Sequence, residues 1–298
     1  MAAIDLLDVR ALAELDNLQV AAKAVIEGMR AGAHRSRLQG HSVDFADHRP
    51  YVAGDDIRHL DWKVLGRSDR LVLKRYEAEV DLGCTVVMDG SGSMAYQGDR
   101  AAMSKYRYGA VLAATLGYLV LEQQDRIGLL IFTDDAVIER RPGGRDQFER
   151  LCHDLETHKP ELGTAPMKAL ERLAPMSVPK GLVVVISDGM TAPEVLVEAI
   201  ERVRHRGHDA ALMWVLDPDE LDLNLGSVTR FQDLEGEAEL VAEPRALREA
   251  YQAEVEAHRV ALHKACLARE VTFIQCHTDE PPHVPLNRLL VALTHGSA

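Results

Sequence analysis

The chain has 298 residues, with 34 lysines and arginines against 47 aspartates and glutamates, a formal net charge of −13. That balance argues against non-specific attraction to nucleic acid or to an anionic membrane, since both need a basic face. With 47% hydrophobic and 27% charged residues the composition is that of a folded globular protein, long enough for one or two domains and a core that needs no disulfide or metal staple.

Residues 5–30 place apolar groups at helical spacing (Leu6, Leu7, Val9, Leu12, Leu15, Leu18), which predicts one amphipathic helix ending near Gly28–Gly32. Asp5, Asp8, Glu14 and Asp16 leave no apolar centre for a signal peptide there. Residues 34–80 are rich in charge and turn formers, Arg49-Pro50 and Gly54-Asp55-Asp56 among them, with short strand-like pieces such as Leu71-Val72-Leu73. This stretch reads as a strand and loop extension, so that 1–80 precede a separate domain over 81–298.

From residue 83 strands and helices alternate. Strands are predicted at Cys84–Met88, Ile127–Phe132, Ala136–Glu139, Leu182–Ser187, Ala210–Leu216 and Val271–His277. Between and after them come helices at Tyr106–Leu121, Asp146–His158, Pro166–Met176, Pro193–Arg206, Pro244–Ala268 and Pro285–Leu293, with a turn at Gly143-Gly144. Strands of four or five consecutive apolar residues are buried on both faces. The fold class is therefore α/β, a doubly wound, mostly parallel central sheet flanked by helices. The longest uncharged run, Tyr108 to Leu121, is 14 residues, whereas a membrane span needs about 18 or more. Cys84, Cys152, Cys266 and Cys276 form no CxxC pair and read as reduced thiols of a cytoplasmic protein.

In such a sheet ligands sit beyond the carboxyl ends of the strands. The first long strand ends in Asp89-Gly90-Ser91-Gly92-Ser93, a carboxylate and two hydroxyls at alternating positions with glycines that let the chain turn. A later strand ends in Ser187-Asp188-Gly189, and the intervening region holds Gly163-Thr164. Asp89, Ser91, Ser93, Thr164 and Asp188 make an all-oxygen donor set, suited to Mg²⁺, with Mn²⁺ or Ca²⁺ as alternatives, rather than to zinc or copper.

These residues resemble the metal-ion-dependent adhesion site of the von Willebrand factor A domain, and Asp125 to Phe132 looks like that family's second strand. The resemblance covers about residues 81–295. It implies a Mg²⁺ held by the two serines and the threonine, with the aspartates acting largely through water. It also implies that the sixth ligand is an acidic side chain of a partner protein. The extension resembles the DUF58 signature through Arg49-Pro50-Tyr51, Gly54-Asp55-Asp56, Arg58, Asp61-Trp62-Lys63 and Leu73-Lys74-Arg75-Tyr76-Glu77. That resemblance implies an A-type domain and a partnership with a MoxR-type AAA+ ATPase. Many DUF58 proteins carry transmembrane helices, and none is expected here.

Three readings compete. The first is a binding module bridging metal to an acidic partner residue, with no catalytic residue of its own. Histidine is absent from all three site segments, and no general base can be named. The second is a metal-dependent, phosphatase-like hydrolase with Asp89 as nucleophile, against which stands Ser91 where such enzymes place a second carboxylate. The third is a scaffold whose metal stabilises loops. The chain has no P-loop, and His258 and His263 are five apart rather than the four that would share a helix face. Gly54–Lys63, with Trp62, reads either as a docking surface or as a solvated turn with a packed aromatic. In A-type domains the last helix can shift when the metal gains an outside ligand, and Pro285–Leu293 would be that helix.

Overall fold

The computed structural model describes residues 8–33, 48–50, 72–74, 83–132, 137–160, 181–190, 192–223, 229–232, 239–242 and 244–295. The chain divides into two compact units, Met1–Gly32 with Leu82–Ala298, and Ala33–Asp81. The division by compactness thus assigns the N-terminal helical segment to the sheet unit, and only 33–81 stand apart. Within the smaller unit β1 (His48–Pro50) pairs antiparallel with β2 (Val72–Lys74), placing Arg49 opposite Leu73. The Gly54–Lys63 segment and Trp62 lie outside the described residues.

The larger unit opens with two helices, α1 (Val9–Ala13) and α2 (Leu18–Ala33), where the sequence pattern predicted one. The break has a local cause. Asn17 takes the amide of Val20 on its side chain at 3.0 Å and that of Ala21 on its carbonyl at 3.0 Å, which starts a new helix. Gly28 lies inside α2, so the first glycine of the expected stop does not end it.

The central sheet has six strands: β3 (Gly83–Asp89), β4 (Arg126–Phe132), β5 (Val137–Gly143), β6 (Gly181–Ser187), β7 (Asp209–Leu216) and β10 (Thr272–His277), in the order β10-β7-β6-β3-β4-β5. Four of the pairings are parallel, and β5 closes one edge antiparallel to β4. The doubly wound, mostly parallel α/β reading therefore holds. β5 runs on to Gly143, beyond the predicted Glu139, and carries Pro142, which only an edge strand tolerates well. A second two-stranded antiparallel sheet, β8 (Thr229–Gln232) with β9 (Glu239–Ala242), was not predicted.

Helices follow the strands as expected: α3 (Lys105–Glu122), α4 (Arg145–Thr157), α5 (Pro193–Arg204), α7 (Pro244–Ala268) and α8 (His283–His295), with the short α6 (Pro218–Asp222) after β7. The predicted helix at 166–176 lies outside the described residues. Strand alternation splits the core in two. Val86 and Met88 face a layer built from α1–α4 and α8, including Leu18, Val25, Leu112 and Leu289. Val87 and Leu130 face α5 and α7 through Ile200 and Leu262. α2 is joined to the same layer by polar contacts as well. The Leu18 amide donates to Glu156 at 2.6 Å, and Arg30 pairs with Glu122 at 2.6 Å. All four cysteines are buried and unpaired.

Candidate metal centre

The chain leaves the first strand, moves to β4 and β5 on one side, then returns to β6 on the other. β3 and β6 are thus the neighbours between which the winding reverses, and their carboxyl ends form the crevice where a ligand sits in this architecture. Asp89 ends β3, and Asp188 follows directly on Ser187, the last residue of β6.

Beyond Asp89 the Gly90 amide still donates to Phe132 of β4 at 2.8 Å, and Ser91 then caps a single 3₁₀ turn, Gly92–Ala95. The turn folds the two serines onto each other, with their hydroxyl oxygens 3.1 Å apart and both side chains buried. Asp89 is buried and each of its oxygens is held: Oδ1 accepts the Ser91 amide at 3.0 Å, and Oδ2 accepts the Ser187 hydroxyl at 2.5 Å. Burial, and secondly the charge of Asp188, push the Asp89 carboxyl up to about 6, partly offset by the bonds from Ser187 and Ser91.

Asp188 is 2% exposed. Its Oδ1 accepts the Met190 amide at 3.3 Å and its Oδ2 accepts the Lys105 ammonium at 2.8 Å. Lys105 is itself fully buried and donates also to Glu220 of α6 at 2.6 Å. Burial alone would lower the Lys105 pKa, but Asp188 and Glu220 outweigh it and raise it, so the side chain is a cation. The loop after Asp188 is fixed from the β7 and α7 side. Trp214 Nε1 donates to the Asp188 carbonyl at 2.6 Å, and His258 Nε2 lies 2.9 Å from the Gly189 carbonyl. Gly189 has φ +62°, and a Cβ there would lie 3.1 Å from the Trp214 ring, so conformation and space both call for glycine.

Four of the five predicted donors therefore occupy one strand-end crevice, and Thr164 lies outside the described residues. Among the described residues no group of three or more His, Cys, Asp or Glu side chains is gathered as a metal set, so a centre here depends on the hydroxyls. The donors suit a hard divalent cation.

Sequence reasoning missed Ser187, Lys105 and Glu220. Glu220 had a signal: Asp217-Pro218-Asp219-Glu220 after β7 is a capping box, with Asp217 and Glu220 holding each other's amides. Lys105 had none, because a lysine in a helix's first turn normally reads as solvated. His258 and His263 do not act as a pair. His258 meets Gly189 and Trp214, whereas His263 lies against Phe273 with ring centres 5.6 Å apart.

A family model described as a protein of unknown function, DUF58, matches residues 47–261. Uncharacterized protein Rv1480 of Mycobacterium tuberculosis is 25% identical over 305 residues, covering 98% of this chain and 93% of its own length, and the same holds for Mb1516 of Mycobacterium bovis. Among solved structures, BatB from Bacteroides thetaiotaomicron is 17% identical with a TM-score of 0.46, covering 72% of this chain and 98% of its own. The VWA domain of SpRpn10 is 9% identical with a TM-score of 0.41, covering 70% and 94%. Among the described residues no helix is long and apolar enough to cross a membrane.

Proposed function

This chain belongs to the DUF58 family, and from that premise and the geometry of the crevice we propose that it is a non-enzymatic, metal-dependent protein-interaction module. The observation that carries the reading is the meeting of Asp89, Ser91 and Ser93 at the end of β3, beside Asp188 at the end of β6. Ser91 and Ser93 would ligate Mg²⁺ directly, joined by Thr164. Asp89 and Asp188, each already holding hydrogen bonds on both oxygens, would act through water. A bound Mg²⁺ supplies a Lewis-acidic position open to a carboxylate from outside. Around it this chain fixes the hydroxyls with the 3₁₀ turn and holds the Asp188 loop with Trp214. The exposed Met190, two residues beyond Asp188, offers an apolar contact beside the crevice, which suits a protein partner.

The partner is a MoxR-type AAA+ ATPase contributing an acidic residue, by the resemblance to DUF58, and the site of action is the cytoplasm, where buried free cysteines are at home. The hydrolase reading has less support. A lysine does reach Asp188, from α3, but Asp89 is buried with Oδ2 taken by Ser187 and Oδ1 by Ser91. The test uses a purified MoxR-type AAA+ ATPase. Immobilised wild-type protein should retain it with Mg²⁺ and release it with EDTA, and Asp89→Ala/Ser91→Ala should not retain it in either buffer. Equal retention in all four conditions would sink the reading, and turnover of p-nitrophenyl phosphate lost in Asp89→Asn would favour the hydrolase.

A further inference from the structure

Lys105 is placed where ordinary rules would not put it. It is the first residue of α3, after the Ser104 cap, so its cation sits at the positive end of the helix dipole. It is also 0% exposed, and lysine is almost never fully buried unless paired. Neither the helix nor the core explains it. Its surroundings do: Asp188 at 2.8 Å, Glu220 at 2.6 Å, and the Tyr96 ring 5.7 Å away. Glu220 is in turn fixed by α6, where its second oxygen accepts the Asp217 amide at 3.0 Å. The lysine thus ties the carboxylate at the end of β6 to the first turn after β7.

We propose that Lys105 is a positioning residue of the metal centre, holding the Asp188 carboxylate toward α6 and, together with Glu220, setting the charge that the centre presents to a divalent cation. This rests on the metal reading given above. Asp89, Asp188 and Glu220 contribute three negative charges and Lys105 one positive, a sum of −2, which one divalent cation neutralises. Without the lysine the sum would be −3 and Asp188 would be free to turn to the metal. Without the Glu220 charge the sum would be −1 and the ammonium would belong to Asp188 alone. The two changes therefore move metal affinity in opposite directions, whereas a lysine that merely stabilised the fold would move it one way.

The experiment titrates Mn²⁺ into the full-length wild type, Lys105→Met, Glu220→Gln and the double variant, with free Mn²⁺ read by its electron paramagnetic resonance signal. Thermal unfolding in EDTA is recorded beside it. Charges at this range are strong enough that Lys105→Met should tighten Mn²⁺ about tenfold and Glu220→Gln weaken it about tenfold, with the double variant, which restores −2, within about threefold of wild type. If Lys105→Met does not fold, Glu220→Gln alone still carries the test, since charge setting predicts weaker Mn²⁺ binding out of proportion to any change in its melting temperature. Affinity that falls in every variant in step with its melting temperature, or that changes in none, overturns the role of Lys105 and leaves the metal site standing. A wild type that takes up no Mn²⁺ removes the metal reading and this inference with it.

Discussion

At the scale of single residues, the candidate centre is a set of short hydrogen bonds around two buried carboxylates, and each bond can be broken alone. Ser187→Ala would strip Asp89 Oδ2 of its donor and leave a buried acceptor unmatched, a loss of about 1–3 kcal/mol in urea unfolding. Ser91→Ala and Ser93→Ala break the contact between the two hydroxyls, and Ser91→Ala also a side-chain bond to Asp89; each should cost on the order of 1 kcal/mol. Both should nevertheless weaken Mn²⁺ binding far more than Ser187→Ala does. Asp89 also gives the metal-free protein a pH signature. Its folded pKa, about 6, stands above the ordinary 3.8, so the folded state holds the proton more tightly than the unfolded chain. EDTA-treated protein should therefore lose stability as pH rises from about 4 to about 6, and Asp89→Asn should flatten that slope. Chemical denaturation across that range decides it. Asp89, Ser91 and Ser93 were legible in the sequence because the motif is local: five residues after an apolar strand specify their own turn. Lys105 and Ser187 were not, because their partners lie 83 and 98 residues away.

At the scale of elements, long apolar strands and helices were readable, and the failures have physical causes. The pattern over 5–30 kept its period across Glu14–Asn17, but Asn17 captures two amides and restarts the helix. β8 and β9 are four residues each; β8 carries one apolar residue, Phe231, and the short apolar run Leu240 to Ala242 of β9 was passed over. α6 was marked, by its capping box, and was passed over. Its cap also serves the site's surroundings: Asp217 is 0% exposed and accepts the Gly98 and Asp219 amides at 3.0 and 2.9 Å. Asp217→Ala should cost about 1–3 kcal/mol by leaving those amides unpaired. It should also loosen Glu220 and so shift Mn²⁺ affinity, which a calorimetric titration beside the urea curve would show.

At the scale of the molecule, the division into compact units bears on where the sheet unit begins. The sequence showed a change of character near residue 80, and compactness instead separates 33–81 while returning the first 32 residues to the sheet. Leu18 and Val25 are 0% exposed, within the layer that holds α3. Leu18→Ala should therefore destabilise the sheet unit itself by about 2–5 kcal/mol, in the same cooperative transition as the strands. An unchanged melting of the sheet would mean that the helix docks loosely. The winding of the sheet is what brings Asp89 and Asp188 to one edge, and the central claim is that this edge binds a divalent cation through serine hydroxyls. Anomalous diffraction from crystals of the full chain grown with Mn²⁺ tests it most directly. The account predicts one strong peak within coordination distance of the Ser91 and Ser93 hydroxyls, with Asp89 and Asp188 reaching it through water, and no such peak in Ser91→Ala/Ser93→Ala crystals. Mn²⁺ bound elsewhere, or none at this edge at millimolar concentration, would contradict it.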